Sequence, residues 1–222
     1  MFIEKIIVIN LLKCEDRKIK LEENLKRVGI SESDVIFLSA FDGDLLNDSF
    51  DRKIYGNLMG RTFAKGEISC TLSHITAIKM AKALNYKNVL ILEDDIILCD
   101  DFVHKINELE KQLPENWQQI YIGAIINSYG EKVSENLYNI VIDDNCMATH
   151  SYLLNNTVYD LVSNKLLGFN TATDGEYNSL HREGLLKAHI FIPLLTCQYD
   201  GHSYISNTYK NMKMLTSNFF IQ

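Results

Sequence analysis

Residues 88–101 read NVLILEDDIILCDD, from Asn88 to Asp101. Val89, Leu90, Ile91 and Leu92 form an unbroken apolar run. The run is too short for a free-standing helix and suits a strand buried on both faces of a parallel sheet. Glu93, Asp94 and Asp95 follow, and Ile96, Ile97 and Leu98 resume the apolar run. Carboxylates buried together without compensation cost several kcal/mol each. They are therefore expected at a strand end facing a cleft, which is where open α/β sheets bind ligands. A hard divalent cation, Mg²⁺ or Mn²⁺, is their economical partner. The competing interpretation is a solvated loop or a cap for the next helix. Asp100 and Asp101, just ahead of the periodic Phe102, Ile106, Leu109 and Leu113, fit that interpretation. The inner triplet differs in having apolar residues on both sides.

Working back towards the N-terminus, Asn85–Asn88 is a turn, preceded by Ala77, Met80, Ala81 and Leu84 at helical spacing. That helix follows GEISCTLSH, Gly66–His74. The polar stretch Asn47–Lys65 is long for a connection and is expected to be a mobile active-site loop or an excursion with short helices. Val35–Ser39 reads as a strand, closed by the turn residues Phe41, Asp42 and Gly43. Asp16–Val28 reads as an amphipathic helix with Leu21, Leu25 and Val28 on one face and Gly29 as its stop. The first strand lies within Ile3–Leu12 and ends at Asn10. This β-α-β opening is a mononucleotide-binding type of unit. It has neither G-x-G-x-x-G nor G-x-x-x-x-G-K-[ST], so no dinucleotide fingerprint or P-loop is supported.

Downstream, a helix is expected over Asp101–Leu113, stopped by Pro114, then a strand at Gln119–Gly123. Strands are expected at Asn139–Ile142 and Met147–Leu154, with a helix at Asn156–Leu167 capped by Asn155 or Asn156. A loop and short helix fill Asn170–Glu183, and Ala188–Leu194 reads as the last strand. No composition break marks a second domain.

The 222 residues suffice for a substantial core, and 46% hydrophobic and 23% charged residues are ordinary for a soluble globular protein. A formal net charge of −7 argues against a nucleic-acid partner. No apolar run approaches the roughly 20 residues of a membrane span. The start MFIEKIIVIN lacks the features of a signal peptide. The five cysteines, Cys14, Cys70, Cys99, Cys146 and Cys197, are widely spaced with no C-x-x-C pair. They read as free buried thiols rather than disulfides or a zinc knuckle, which suits a cytoplasmic, reducing compartment.

Three blocks together resemble glycosyltransferase family 25, which includes lipooligosaccharide galactosyltransferases and collagen galactosyltransferase-like proteins. IIVINLLKCEDRKIKLEENL is similar to the family's "VINL…DR" opening. GEISCTLSHITAIKMA is similar to "GE-x-G-C-x-L-SH", and NVLILEDDI to "LILEDD". Weaker matches follow at THSYLL (Thr149–Leu154), around Asp174, and at PLLTCQYDGHSYIS (Pro193–Ser206). Two departures stand out: Ser69 replaces the family's Gly, and Leu12, Lys13 and Cys14 replace acid or polar residues. The resemblance implies one α/β domain of GT-A type over 1–222, a mixed, mainly parallel sheet flanked by helices. Residues 1–125 would bind nucleotide-sugar and metal, and 126–222 the acceptor. It further implies an inverting transfer of a hexose, galactose or glucose, from a UDP-sugar, assisted by Mn²⁺ (or Mg²⁺), with a role in lipopolysaccharide biosynthesis. The acceptor would be a glycan or a hydroxylated protein. Peripheral membrane contact and oligomeric state are left open.

On this resemblance Asp95 is the first metal ligand, as the last acid of such a triplet. Glu93 joins it by the two-residue period of an extended chain, and Asp94 points the other way, towards ribose or core. A late histidine would complete the metal site: His202, or His150 in its place. At the first β-α turn, Asn10 and Arg17 are candidates for the donor, since an Arg forks onto a pyrophosphate or holds a carboxylate. Asp42 would receive uridine or ribose hydroxyls. Glu67 would bond a sugar hydroxyl or cap a helix. His74, near a helix start, would lie by the donor. Asp174 is the candidate general base, with Glu176 as the alternative; both could instead cap the helix that follows. The competing function is a catalytically silent module that kept the fold for binding or adhesion.

Overall fold

The computed structural model describes residues 2–47, 63–141, 146–205 and 208–210. Its centre is a seven-stranded sheet. In chain order the strands are β1 (Lys5–Asn10), β2 (Val35–Ser39), β3 (Asn88–Glu93), β5 (Gln119–Ile125), β6 (Leu137–Asn139), β7 (Met147–Asn155) and β8 (Ala188–Phe191). They lie side by side in the order β2-β1-β3-β7-β5-β8-β6. β1, β2, β3, β5 and β8 run in one direction, and β6 and β7 run against them. The sheet is thus mixed and mainly parallel, as the motifs imply.

Alternation along β3 builds two cores. Leu90 and Leu92 pack with Leu21 and Leu25 of helix α1 (Glu15–Arg27) and with Phe102, Ile106 and Leu109 of α3 (Phe102–Gln112). Val89 and Ile91 face the opposite layer, with Ile78 and Ala81 of α2 (Lys65–Ala83), Val162 of α4 (Tyr159–Leu166) and Leu180 of α5 (Thr173–Arg182). All four β3 residues are fully buried. At about 1.5–3 kcal/mol per side chain, their burial is on the scale needed to hold a costly acidic end in place. Gly29 ends α1 with φ of 83°, a conformation that favours glycine.

The connections create a switch point. From β1 the chain crosses over α1 to β2, then returns over α2, on the other face, to β3. The crevice therefore opens where β1 and β3 end side by side, the usual ligand position in an open α/β sheet.

Several expectations are corrected. The apolar run does not continue through the acids: the chain turns at Asp94–Asp95, and β4 (Ile96–Leu98) pairs with β9 (Thr196–Gln198) outside the main sheet. Ala188–Leu194 is not the last strand, since β9 is followed by a hairpin of β10 (Gly201–Ser203) and β11 (Thr208–Lys210). The strand expected at Asn139–Ile142 is displaced to β6, and Ile142 lies outside the described residues. So does most of the expected Asn47–Lys65 loop. The whole GEISCTLSH block is helical, so His74 sits in the middle of α2, not near its start. No helix among the described residues is long and apolar enough to cross a membrane.

Candidate functional site

Strand parity sets the acids apart. Asp94, two residues beyond Leu92, turns to the α1 side. There its Oδ1 accepts from Arg17 Nη1 at 2.9 Å and its Oδ2 from Asn10 Nδ2 at 2.8 Å. Glu93, two beyond Ile91, turns to the α2 side, where Oε1 lies 3.5 Å from His74 Nε2. Asp95 follows Glu93: both accept from Gln198 Nε2 on β9, at 3.4 Å and 3.0 Å. Arg17 Nη1 also reaches Asp95 Oδ2 at 3.4 Å.

Among the described residues the charges do not balance. One guanidinium serves three carboxylates. Burial would depress Arg17, but the charges of Asp95 and Asp94 raise it above its ordinary value. Burial, then the charge of Glu93, pushes Asp95 up to about 7 against the bond from Gln198. Asp94 is raised by burial despite Arg17 and Asn10. Burial would also raise Glu93, but its bond to His74 and the nearby positive groups hold it below the usual range. His150 contributes little of that near neutral pH, since burial pushes it down to about 4. Two carboxylates converging on one side-chain amide, and short of positive charge among the described residues, make an oxygen donor pair that suits a hard cation.

The remaining candidates are placed as follows. Asn10, buried, and Arg17 form the wall of the crevice on the α1 side. Asp42 pairs with Lys13 at 2.8 Å and accepts from the Asp44 amide, which together outweigh burial and lower its carboxyl. It borders a cavity of about 450 Å³ that Lys13, Phe41, Leu45 and Leu46 also line. Glu67 accepts from the Ala64 amide at 2.9 Å, so of its two readings the cap is the one its contacts realise. Ala64 has no side-chain acceptor to reciprocate. His74 is fully buried behind Glu93, with Tyr152 Oη at 3.0 Å from Nδ1. His150, on β7, is also fully buried, and its Nε2 faces Gly123, where an added Cβ would lie 2.6 Å away.

His202 is tied to the acids through its main-chain oxygen, which accepts from Arg17 Nη2. Its ring packs edge-on against Tyr204, 5.1 Å between centroids. Tyr204 in turn lies under Lys13 and Arg17. This tail segment crosses the start of α2 so closely that a Cβ on Gly66 would meet Ile205 backbone at 2.7 Å.

Asp174 lies in the first turn of α5, where Oδ2 accepts from the Ala148 amide at 3.3 Å and Oδ1 from the Gly175 amide at 2.8 Å. The thiol of Cys70 is pushed up by burial and then by the charges of Glu93, Asp174 and Asp95, so it lies among these acids. Glu176 is 1% exposed, and its Oε1 accepts from the amides of Asn170 and Thr171 at 2.6 Å and 3.1 Å. Those bonds fix the loop before α5, which counts against Glu176 as a free base.

Sequence reasoning missed Gln198, although it stands inside the PLLTCQYDGHSYIS match. Nothing local distinguishes it, because its role depends on β9 pairing with β4. It also missed that Cys70 and His74, four residues apart on α2, share one face.

A switch-point crevice in a mixed α/β sheet, lined by clustered carboxylates and an arginine, defines an α/β protein with a polar ligand site at its strand ends. The family model described as "Glycosyltransferase family 25 (LPS biosynthesis protein)" matches residues 3–173, and the chain belongs to this family. Inactive glycosyltransferase 25 family member 3 of Homo sapiens is 29% identical over 163 residues, which is 68% of this chain and 27% of that protein. Procollagen galactosyltransferase 2 of Homo sapiens is 27% identical over 167 residues, 69% of this chain and 26% of that one. A glycosyltransferase 25 family member of Aedes aegypti is 25% identical over 228 residues, 97% of this chain and 34% of that protein. The chain thus spans between about a quarter and a third of these relatives. A glycosyltransferase involved in glycosylation of the major capsid of PBCV-1 aligns over 81% of this chain and 67% of its own, with a TM-score of 0.40 and 10% identity.

Proposed function

We propose that the chain transfers a hexose, galactose or glucose, from a UDP-sugar to a hydroxyl of a glycan or hydroxylated-protein acceptor, with inversion. Family membership supports glycosyl transfer. The observation that carries the finer reading is that Glu93 and Asp95 converge on Gln198 Nε2 and, among the described residues, have only the Arg17 guanidinium, shared with Asp94, to offset their charge. In this reading they hold Mn²⁺ or Mg²⁺, which when bound neutralises charge on a leaving diphosphate.

The chain's own residues then divide the work. Asp94 and Asn10 fix Arg17, whose guanidinium adds fixed positive charge beside the acids. Asp42 and the cavity beside it accept the ribose and base of the donor. Asp174 takes the proton of the acceptor hydroxyl. His202 is not assigned as a ligand, since its ring is packed on Tyr204. The thiol content suits a reducing, cytoplasmic setting.

A second reading, binding without turnover, is motivated by the relative whose name describes it as inactive. Two measurements separate them. With Mn²⁺ and a UDP-sugar at 100 times its dissociation constant, the native state gains about 2.7 kcal/mol. For a chain of this size that is a rise in Tm of roughly 5–10 °C. The same mixture should release UDP when a sugar acceptor is added. A Tm rise without UDP release across an acceptor panel favours the silent module, and no rise with any UDP-sugar rejects the donor assignment.

A further inference from the structure

We propose that Cys70 Sγ, His74 Nε2 and Glu93 Oε1 form a binding site for a borderline-soft divalent ion, Zn²⁺, which shares Glu93 with the proposed oxygen pair but adds a thiol and an imidazole in place of Asp95. The three ligand atoms lie within 4.8 Å of one another. Cys70 and His74 stand one turn apart on α2, so both side chains reach the same face. That face meets the end of β3, where parity delivers Glu93 rather than Asp94.

His74 is fully buried, and among the described residues its Nε2 has only long contacts, 3.5 Å to Glu93 and 3.5 Å to Thr149 Oγ1. A buried nitrogen so weakly satisfied, aimed at a thiol and a carboxylate, is poised to bind an ion. Its other nitrogen is held 3.0 Å from Tyr152 Oη, the second contact that orients a ligating imidazole.

The chemistry selects the ion. A thiolate, an imidazole and a carboxylate with an open fourth position are a zinc set, whereas Mg²⁺ and Mn²⁺ prefer all-oxygen ligands. Tetrahedral zinc wants its ligand atoms roughly 3.4–3.6 Å apart. The His74–Glu93 pair already meets this, and Cys70 Sγ lies within 4.8 Å of both. Coordination replaces the thiol proton, and thiolate plus carboxylate then balance the ion's two charges. Cys70 is also the least buried thiol: the other four cysteines are buried, and it is partly exposed.

The test is metal binding by the whole chain, with no turnover required. Zn²⁺ should bind at one equivalent by calorimetry, and Co²⁺ should give a thiolate-to-cobalt charge-transfer band. Cys70→Ser should abolish the band and weaken Zn²⁺ by more than about tenfold, Tyr152→Phe should weaken it by about tenfold, and Cys99→Ser should change neither. Asp95→Asn should keep Zn²⁺ binding while losing any Mn²⁺ response, which separates this site from the proposed donor site. In the unmodified protein, one equivalent of Zn²⁺ should slow alkylation of Cys70 as read by mass spectrometry, so the test survives a variant that fails to fold. Absence of the band in wild type, its persistence in Cys70→Ser, or unprotected alkylation of Cys70 would overturn the proposal.

Discussion

The end of β3 and the start of α5 both gather buried or half-buried carboxylates, and they compensate them in opposite ways. At α5, main-chain amides of Asn170 and Thr171 bond Glu176, and those of Ala148 and Gly175 bond Asp174. Only Gly175 lies in the first turn of α5; Asn170 and Thr171 stand in the loop before it and Ala148 on β7, while the helix dipole favours negative charge there. At β3 the sheet ladder uses the neighbouring amides, so the acids share Arg17, Asn10 and Gln198. Asp95 is left with a carboxyl near pH 7. Main-chain amides from the helix, the loop before it and β7 satisfy the acids at α5; the strand end keeps a deficit that a bound cation would fill.

The largest expected effect therefore belongs to Asp95→Asn. If the deficit is functional, turnover of a UDP-sugar falls by on the order of 10⁴-fold. Stability should move the other way. The folded carboxyl is raised above its unfolded value, so the folded state binds the proton more tightly. Stability is then fullest below about pH 4 and is lost as pH rises towards about 7. Asp95→Asn should remove that slope in a melting series from pH 4 to pH 8 and raise Tm at the upper end. A variant that is both destabilised at pH 7.5 and active would mean the strand end is compensated after all.

Next is Asp174→Asn. As the positioned base, Asp174 should account for about 10²–10⁴-fold in turnover, with donor affinity close to wild type because only the chemical step changes. Its amide bonds are few and partly exposed, so the stability cost should stay near 1 kcal/mol. Steady-state kinetics and donor calorimetry on one preparation decide it. A folded, fully active variant would return Asp174 to a purely local role.

The two regions also differ in how far the sequence disclosed them. Four apolar residues before three acids were enough to place β3 in the middle of the sheet and its acids at the crevice. The two-residue period set Glu93 apart from Asp94, because parity is a local property of an extended chain, whereas Asp95 joins Glu93 after the chain has turned. Long-range pairing was not legible. Gln198 reaches the acids only because β9 meets β4, and nothing near residue 198 announces it. Likewise, GEISCTLSH carries no cap signal at Ala64, which hid the start of α2 and left His74 assigned to a helix entrance. Glu176 was read as a base or a cap for want of the loop geometry that spends it on Asn170 and Thr171.

The smallest effect on turnover should come from Glu176→Gln, and it is the sharpest check on the contrast. Gln keeps the size of the side chain and one carbonyl acceptor, so both amide bonds at Oε1 can be remade. What is lost is the charge on the acceptor. Charge-assisted bonds exceed neutral ones by about 1 kcal/mol, and the charge near the helix start adds about 0.3–1 kcal/mol. The sum corresponds to a fall in Tm of roughly 3–8 °C for a chain of this size. Turnover should remain within about twofold, because Glu176 is buried and committed to the backbone before any acceptor arrives. If the variant instead melts like wild type and loses turnover tenfold or more, Glu176 is the base. The start of α5 would then hold an acid in reserve as the strand end does, and the distinction between the two regions would fail.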